Sequence, residues 1–228
     1  MQKQKNKKTI QGEIEKALNK LNINSFISYA GRTDKGVHAL NQVISFNIPS
    51  FWEKDKLLKE LNKKLHPFIH IKKLEKVSNN FNPRFNAKKR SYRYLISNKF
   101  SPFTSDYITY YPNRIDITLL KKALKLFEGE HNFEYFAKTG SEVNNYIRTI
   151  YKTNIFEYKN LTVIKIEGNG FLRGQIRLMI DFLLKINEKK LTLSDLKRQI
   201  DKKAFYSKHL ASPNGLYLER IWYHNLII

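Results

Sequence analysis

The chain has 228 residues, with 42 Lys and Arg against 20 Asp and Glu, for a formal charge of +22. A hydrophobic content of 41% and an aromatic content of 13% mark a globular chain with a sizeable core, one large domain or two small ones, and exclude a disordered one. The complete lack of Cys excludes disulfides, Cys-ligated zinc, iron–sulfur clusters and thiol catalysis. No apolar run approaches the roughly 20 residues of a membrane span. Met1 to Lys8 is Lys- and Gln-rich with no apolar stretch behind it, unlike a signal peptide, so the cytoplasm is the expected compartment.

In chain order, Thr9 is placed to cap a helix with Ile10, Ile14, Ala17, Leu18 and Leu21 on one face. Phe26 to Ala30 reads as a strand ending at Gly31, and Gln42 to Ile48 as another, with Ile44, Phe46 and Ile48 facing the core. A helix follows with Leu57, Leu58, Leu61 and Leu65 on its apolar face. Ile69 to Val77 and Ser91 to Ser97 read as strands, and Asp116 caps a helix that stops near Gly129. Tyr146 to Tyr158 and Leu161 to Ile166 form two strands joined by a Lys-Asn turn. Phe171 to Ile186 is a strongly apolar helix, Ser194 caps a short one, and Leu216 to His224 is a last strand. Hairpin-like strand pairs among helices predict an α+β fold, its sheet largely antiparallel and its helices on one face. The similar order of elements in the two halves permits a duplicated unit. No linker marks a boundary.

Three polar clusters stand out. In Gly31-Arg32-Thr33-Asp34-Lys35-Gly36-Val37-His38-Ala39, two glycines frame a turn that carries a carboxylate beside Arg32 and His38. An ionised carboxylate in that company suits a nucleophile or electrostatic stabiliser, although Asp in a turn is commonly only a turn former. In Arg90-Ser91-Tyr92-Arg93-Tyr94, strand alternation puts Arg90, Tyr92 and Tyr94 on one face and Ser91 and Arg93 on the other. Such Tyr and Arg residues stack on bases and hold phosphates, or make a solvated strand face with cross-strand aromatic pairs. In Phe171-Leu172-Arg173-Gly174-Gln175-Ile176-Arg177, the two Arg lie four apart on one helix face, either meeting an anion or reaching water along their stems. Only ten of the basic residues are Arg, and seven of them (Arg32, Arg84, Arg90, Arg93, Arg148, Arg173, Arg177) lie in or beside polar clusters. In a Lys-rich chain that placement favours phosphate or carboxylate recognition, hence nucleic acid, over compositional bias.

The loop from Gly31 to Ala39 resembles the GRTDAGVHA signature of the tRNA pseudouridine synthase A family. The resemblance continues through Thr9 to Leu18, Leu61-Asn62 with Leu65 and Pro67, Phe81 to Phe85, Arg90 to Tyr94, Gly129 to Phe133, Arg148 to Ile150, Asn169 to Arg177 and Gly215 to Leu218, all collinear. It implies a pseudouridine synthase fold: a mixed, mostly antiparallel sheet built from two related α+β halves around a central cleft, here residues 1–100 with the Asp loop and 101–228. It implies isomerisation of uridine to pseudouridine at tRNA positions 38 to 40, by a homodimer without cofactor or metal. Asp34 would be the catalytic aspartate, Tyr92 the tyrosine under the uracil, and Arg177 the partner of the aspartate. Arg32, His38, Arg84, Arg90, Arg93 and Arg173 would bind RNA. The chain departs from the pattern at its start, where Met1-Gln2-Lys3-Gln4 stands in place of a Trp/Phe-Gln-x-Gln segment and the family's first strand has no counterpart. A non-catalytic RNA-binding protein on the same scaffold is therefore the alternative, although a mere binder has no need of Asp34, Tyr92 and Arg177 together. A metal-dependent nuclease would want clustered carboxylates, which do not surround Asp34.

Overall fold

The computed structural model describes residues 1–2, 7–140 and 145–224, so Lys3 and Gln4 of the opening segment lie outside the described residues. The elements in chain order are α1 (Ile10–Asn19), β1 (Ser28–Tyr29), β2 (His38–Ala39), β3 (Ile44–Ser45), α2 (Lys54–Leu65), β4 (Lys89–Ser97), β5 (Thr109–Tyr110), α3 (Ile117–Lys125), β6 (Gly129–Asn132), a 3-10 turn (Glu134–Phe136), β7 (Ile147–Tyr158), β8 (Leu161–Gly168), α4 (Gln175–Asn187), α5 (Leu193–Ile200) and β9 (Leu216–Trp222). They gather into two compact units, each made of separated stretches. Residues 1–33, 42–87 and those from 221 onward form the first, and residues 34–41 and 88–220 the second. Strand β4 clusters with the second unit because it is paired with β8 from Arg90↔Gly168 to Ile96↔Thr162. Among the described residues no helix is long and apolar enough to cross a membrane.

In the first unit Thr9 caps α1 as expected, its hydroxyl accepting from Gly12 N–H at 3.2 Å. Ile14, Ala17 and Leu18 of α1 pack with Leu57, Leu61 and Leu65 of α2, and with Ile23 and Ile27, in one small core. Ile10, expected on that face, is exposed in the first turn, and Ile48 is exposed as well. The strands around them are shorter than the sequence suggests. β1 and β3 pair over Ser28↔Ser45 and Tyr29↔Ile44 only. Side chains take over the backbone groups at both ends: Ser25 Oγ accepts from Asn47 N–H at 2.8 Å, and Gln42 Nε2 donates to Gly31 O at 2.8 Å. The stretch 69–77, expected as a strand, is none. The Asn62 side chain binds both backbone groups of Ile71, donating to its O at 2.9 Å and accepting from its N–H at 2.7 Å. Ile69, Ile71 and Leu74 still reach the core, so the apolar periodicity is genuine but serves an irregular segment.

The second unit is built on the sheet β2-β9-β4-β8-β7-β6, with β5 beside β4. The β4/β8, β7/β8 and β6/β7 pairs are antiparallel and the β2/β9 and β4/β5 pairs parallel, so the sheet is mixed and mostly antiparallel. Cross-strand rows such as Tyr94–Ile164–Ile155 and Tyr92–Ile166–Thr153 line one face. That face and helices α3, α4 and α5 share a single core. On the other face Glu219 is ion-paired to Arg93 and, at 3.0 Å, to Lys165, and Lys89 to Glu167 at 2.8 Å. Burial pushes the Glu219 carboxyl up, but hydrogen bonds from Lys165 and Arg93 outweigh it and hold the group below the usual carboxylate range.

Two helix starts differ from expectation. The α5 cap is Thr192, which forms a capping box with Asp195 and leaves Ser194 inside the helix. Helix α4 begins at Gln175, four residues later than predicted, because Gly174 is left-handed at φ 73° and breaks the run.

Gly215 stands just before β9 in a crowded place. A Cβ there would overlap Leu95 O and stand 2.6 Å from Thr109 Oγ1. Leu95 N–H donates to Gly215 O at 2.9 Å, so the strand cannot retreat without losing a ladder bond. Gly215→Ala is therefore expected to cost about 2 kcal/mol, read as a lower urea midpoint at unchanged m.

Candidate active site

The Asp34 loop is moored at its exit. Val37 N–H donates to Asp34 O at 3.2 Å and closes a turn. Gly36 sits at φ 81°, and a Cβ on it would come within 2.8 Å of Pro213 Cγ, so only glycine lets the loop lie this close to the 206–215 segment. The chain then enters β2, with His38 opposite Tyr217 and Ala39 opposite Leu218. Leu40 N–H and the Asn41 amide continue the attachment, to Leu218 O at 2.8 Å and Glu219 O at 2.7 Å.

Arg177 lies in the first turn of α4, its side chain 13% exposed against 23% for Asp34. Its Nη1 is 3.5 Å from Asp34 Oδ2. Its Nε donates to Ala211 O at 2.6 Å, and Ala211 N–H returns a bond to Arg177 O at 3.2 Å. The guanidinium thus divides its fork between a backbone carbonyl and the carboxylate, instead of placing two bonds on the carboxylate. The next turn of α4 repeats the pattern. Buried Asp181 accepts from Ser207 Oγ at 2.8 Å, pairs with Lys185 at 2.8 Å, and lies 2.8 Å from His209 Nδ1. The Gln199 amide fixes the same segment, accepting from Tyr206 N–H at 2.8 Å and Ser207 N–H at 3.1 Å and donating to Ser207 O at 3.0 Å.

Tyr92 and Tyr94 rise from β4 on the core-facing side, as alternation predicts. Tyr92 meets Phe171 edge to face at 5.2 Å. Burial pushes its phenol up to about 12, against an opposing pull from Arg90. Burial likewise lifts Tyr94 to about 12, opposed by its Thr109 bond and by Arg177 and reinforced by Asp181. A hydrogen-bond chain runs through Tyr94: Gly215 N–H donates to Thr109 Oγ1 at 3.1 Å, Thr109 to the Tyr94 oxygen at 2.9 Å, and Tyr94 to Ser212 O at 2.8 Å.

Among the residues expected to bind RNA, the structure gives several other tasks. The His38 ring stacks on Tyr217 at 4.8 Å with Nε2 2.8 Å from Asp106 O, which ties down the Asp34 loop. Arg93 is ion-paired to Glu219 on the sheet face opposite Tyr92. Arg173 is exposed but precedes Gly174, so it does not share a helix face with Arg177 as the four-residue spacing implied. Arg90 shares the Tyr92 face and donates to Asn169 O at 2.9 Å. Arg148, noted in the sequence only for lying beside a polar cluster, donates to Asn145 O at 3.0 Å and Ile147 O at 2.6 Å. Arg32 and Arg84 belong to the first unit, where Arg32 donates to Gln2 at 2.8 Å and Arg84 lies over the Phe85 ring at 5.5 Å. Sequence reasoning missed the 206–215 segment and Asp181. A lone carboxylate between Ile180 and Phe182 in an apolar helix was the signal for the latter.

The two raised phenols fix a pH dependence. A tyrosine ionises near 10 when unfolded and near 12 here, so between these values the folded state keeps protons that the unfolded state has lost. Their contribution is complete below pH 10 and lost as pH rises towards 12. Denaturation midpoints across this window are expected to fall less steeply in Tyr92→Phe than in the wild type.

The tRNA pseudouridine synthase family pattern matches residues 1–86 and 123–224. A tRNA pseudouridine synthase A of Campylobacter jejuni (strain RM1221) is 42% identical over 222 residues, covering 96% of this chain and 92% of that protein. The proteins of the same name from Helicobacter hepaticus and Helicobacter pylori (strain P12) are 41% and 43% identical, covering 98% and 97% of this chain and 92% of each relative. With its mixed sheet, the five helices among its described residues and its near end-to-end likeness to these proteins, the chain belongs to the tRNA pseudouridine synthase family.

Proposed function

We propose that this chain converts uridine to pseudouridine at positions 38 to 40 of the tRNA anticodon stem-loop, with Asp34 as the covalent catalyst. The observation that carries the assignment is the Arg177–Asp34 pair, in which a partly buried guanidinium fixed by a backbone carbonyl faces one carboxylate oxygen. The reaction breaks an N-glycosidic bond, turns the uracil and forms a carbon–carbon bond. The carboxylate supplies the transient covalent partner while the base is detached; that bond breaks again as the carbon–carbon bond forms, and the hydrogen lost from the joining uracil carbon is balanced by one gained at the freed ring nitrogen. Arg177 orients that carboxylate and balances its charge. Tyr92, neutral over the physiological range with its phenol near 12, offers an uncharged ring for the uracil to lie on. The target base must leave its stack to reach Asp34, and Arg90 and Arg173 are the cations we assign to the backbone around it. We assign Arg32 and Arg84 to phosphates of the same substrate, whereas His38 and Arg93 act in support of the scaffold. The enzyme works as a cytoplasmic homodimer and needs no cofactor for this isomerisation.

Asp34→Asn is expected to keep tRNA affinity and form no pseudouridine on unmodified tRNA. Turnover within about tenfold of wild type, a barrier change of only about 1.4 kcal/mol, would remove Asp34 from the chemistry. Arg177→Lys keeps the charge but cannot serve Ala211 O and Asp34 in one plane, so it should bind tRNA normally and turn over far more slowly. Sedimentation at micromolar concentration checks the dimer.

A further inference from the structure

In the second unit, at the last turn of α4, lies a cavity of about 290 Å3, beside the turn that joins β7 to β8. Lys99, Arg114 and Lys159 line it, together with the side-chain amides of Asn98, Asn113 and Asn160. Glu157 is the one carboxylate in the wall, and none of the three cations is ion-paired among the described residues. Lys159 stands at the corner of the turn with φ 54°, its ammonium over the Tyr158 ring at 5.6 Å. Three neighbouring positive charges repel one another, and an anion seated among them removes that penalty. Amides that can donate or accept suit phosphate and ribose oxygens equally.

The cavity has a fixed relation to α4. Asn187, the last residue of that helix, donates to the Tyr111 hydroxyl at 3.1 Å and to Arg114 O at 3.0 Å, fastening the wall to the final turn. Arg177 is in the first turn of the same helix. Ten residues at 1.5 Å each set the two ends about 15 Å apart. A single nucleotide held at Asp34 is too short to span that length of helix, whereas a polynucleotide strand is long enough.

We propose that this cavity is a second phosphate site, which grips the backbone of the tRNA substrate away from the reacting uridine. The proposal rests on the tRNA reading above. The site contributes affinity and register, and takes no part in bond making.

The test is the double variant Lys99→Gln/Arg114→Gln, both side chains being exposed and outside every core. Wild type and variant are titrated with full-length unmodified tRNA between about 50 and 200 mM salt, and initial rates are measured on the same substrate. The expected result is roughly tenfold weaker binding, a log–log salt slope shallower by about 1.5, a raised KM and an unchanged kcat. Equal affinity and equal slope would overturn the site. Inorganic phosphate and uridine monophosphate are titrated in parallel. If they bind tightly to the wild type and not to the variant while tRNA affinity stays the same, the cavity serves small anions and the proposal falls. If the wild type makes no pseudouridine but the variant still loses tRNA affinity, the catalytic reading fails and the phosphate site stands. An active wild type whose tRNA affinity the variant leaves untouched separates the two the other way.

Discussion

The guanidinium of Arg177 is where the second unit holds its geometry. Its Nε on Ala211 O ties α4 to the 206–215 segment, and its Nη1 faces Asp34. The same segment presses Pro213 against Gly36 and receives the Tyr94 hydroxyl at Ser212 O. Helix, sheet and loop are therefore referred to one stretch of chain with no regular secondary structure. Such a stretch has no ladder of its own, and side chains replace the ladder: Asp181 takes Ser207, Gln199 takes the backbone on both sides of it, and Arg177 takes Ala211. Each of these anchors is polar and buried or half-buried, so losing any one strands the others in an environment where unpaired groups are costly.

The fold was legible where local rules act alone. Helical apolar spacing located α1, α2 and α3, and the Thr9 and Asp116 caps were right because an Ncap oxygen needs only its own first turn. The β7–β8 hairpin followed from alternation and its Lys159-Asn160 corner. Reading failed where a side chain or a glycine competed with the ladder. Asn62 absorbs the hydrogen bonds of Ile71, Ser25 and Gln42 bracket β1 and β3, and Gly174 delays α4. None of these competitions is visible in hydrophobic period, since Ile69 and Ile71 point inward whether or not they pair.

For the site, the sequence brought Asp34, Tyr92 and Arg177 into view as members of polar clusters but gave them roles only through a resemblance, because an Asp in a turn and an Arg on an apolar helix each have ordinary explanations. The structure places Arg177 against Asp34 and gives the guanidinium its second bond. The Arg residues separate by neighbourhood. Arg93 is held by Glu219, and Arg90 lies along the Tyr92 face. Alternation correctly put them on opposite sides of β4, and what it could not supply was the acidic partner, which comes from β9, more than a hundred residues later. Long-range pairing of this kind is invisible to any window of sequence.

The first unit is interrupted: its chain leaves after residue 87 and returns at residue 221. The returning stretch brings Tyr223, whose hydroxyl donates to Pro83 O at 2.8 Å and whose ring meets Phe81 at 5.2 Å. On a ribosome adding about 5–20 residues per second, the intervening chain takes on the order of ten seconds to synthesise. Throughout that interval α1 and α2 can pack, but Phe81 has no ring to meet and Pro83 O has no donor. The first unit thus stays incomplete while residues 88–220 of the second are made. Phe81 and Pro83 therefore wait for a partner that the chain supplies only after residues 88–220.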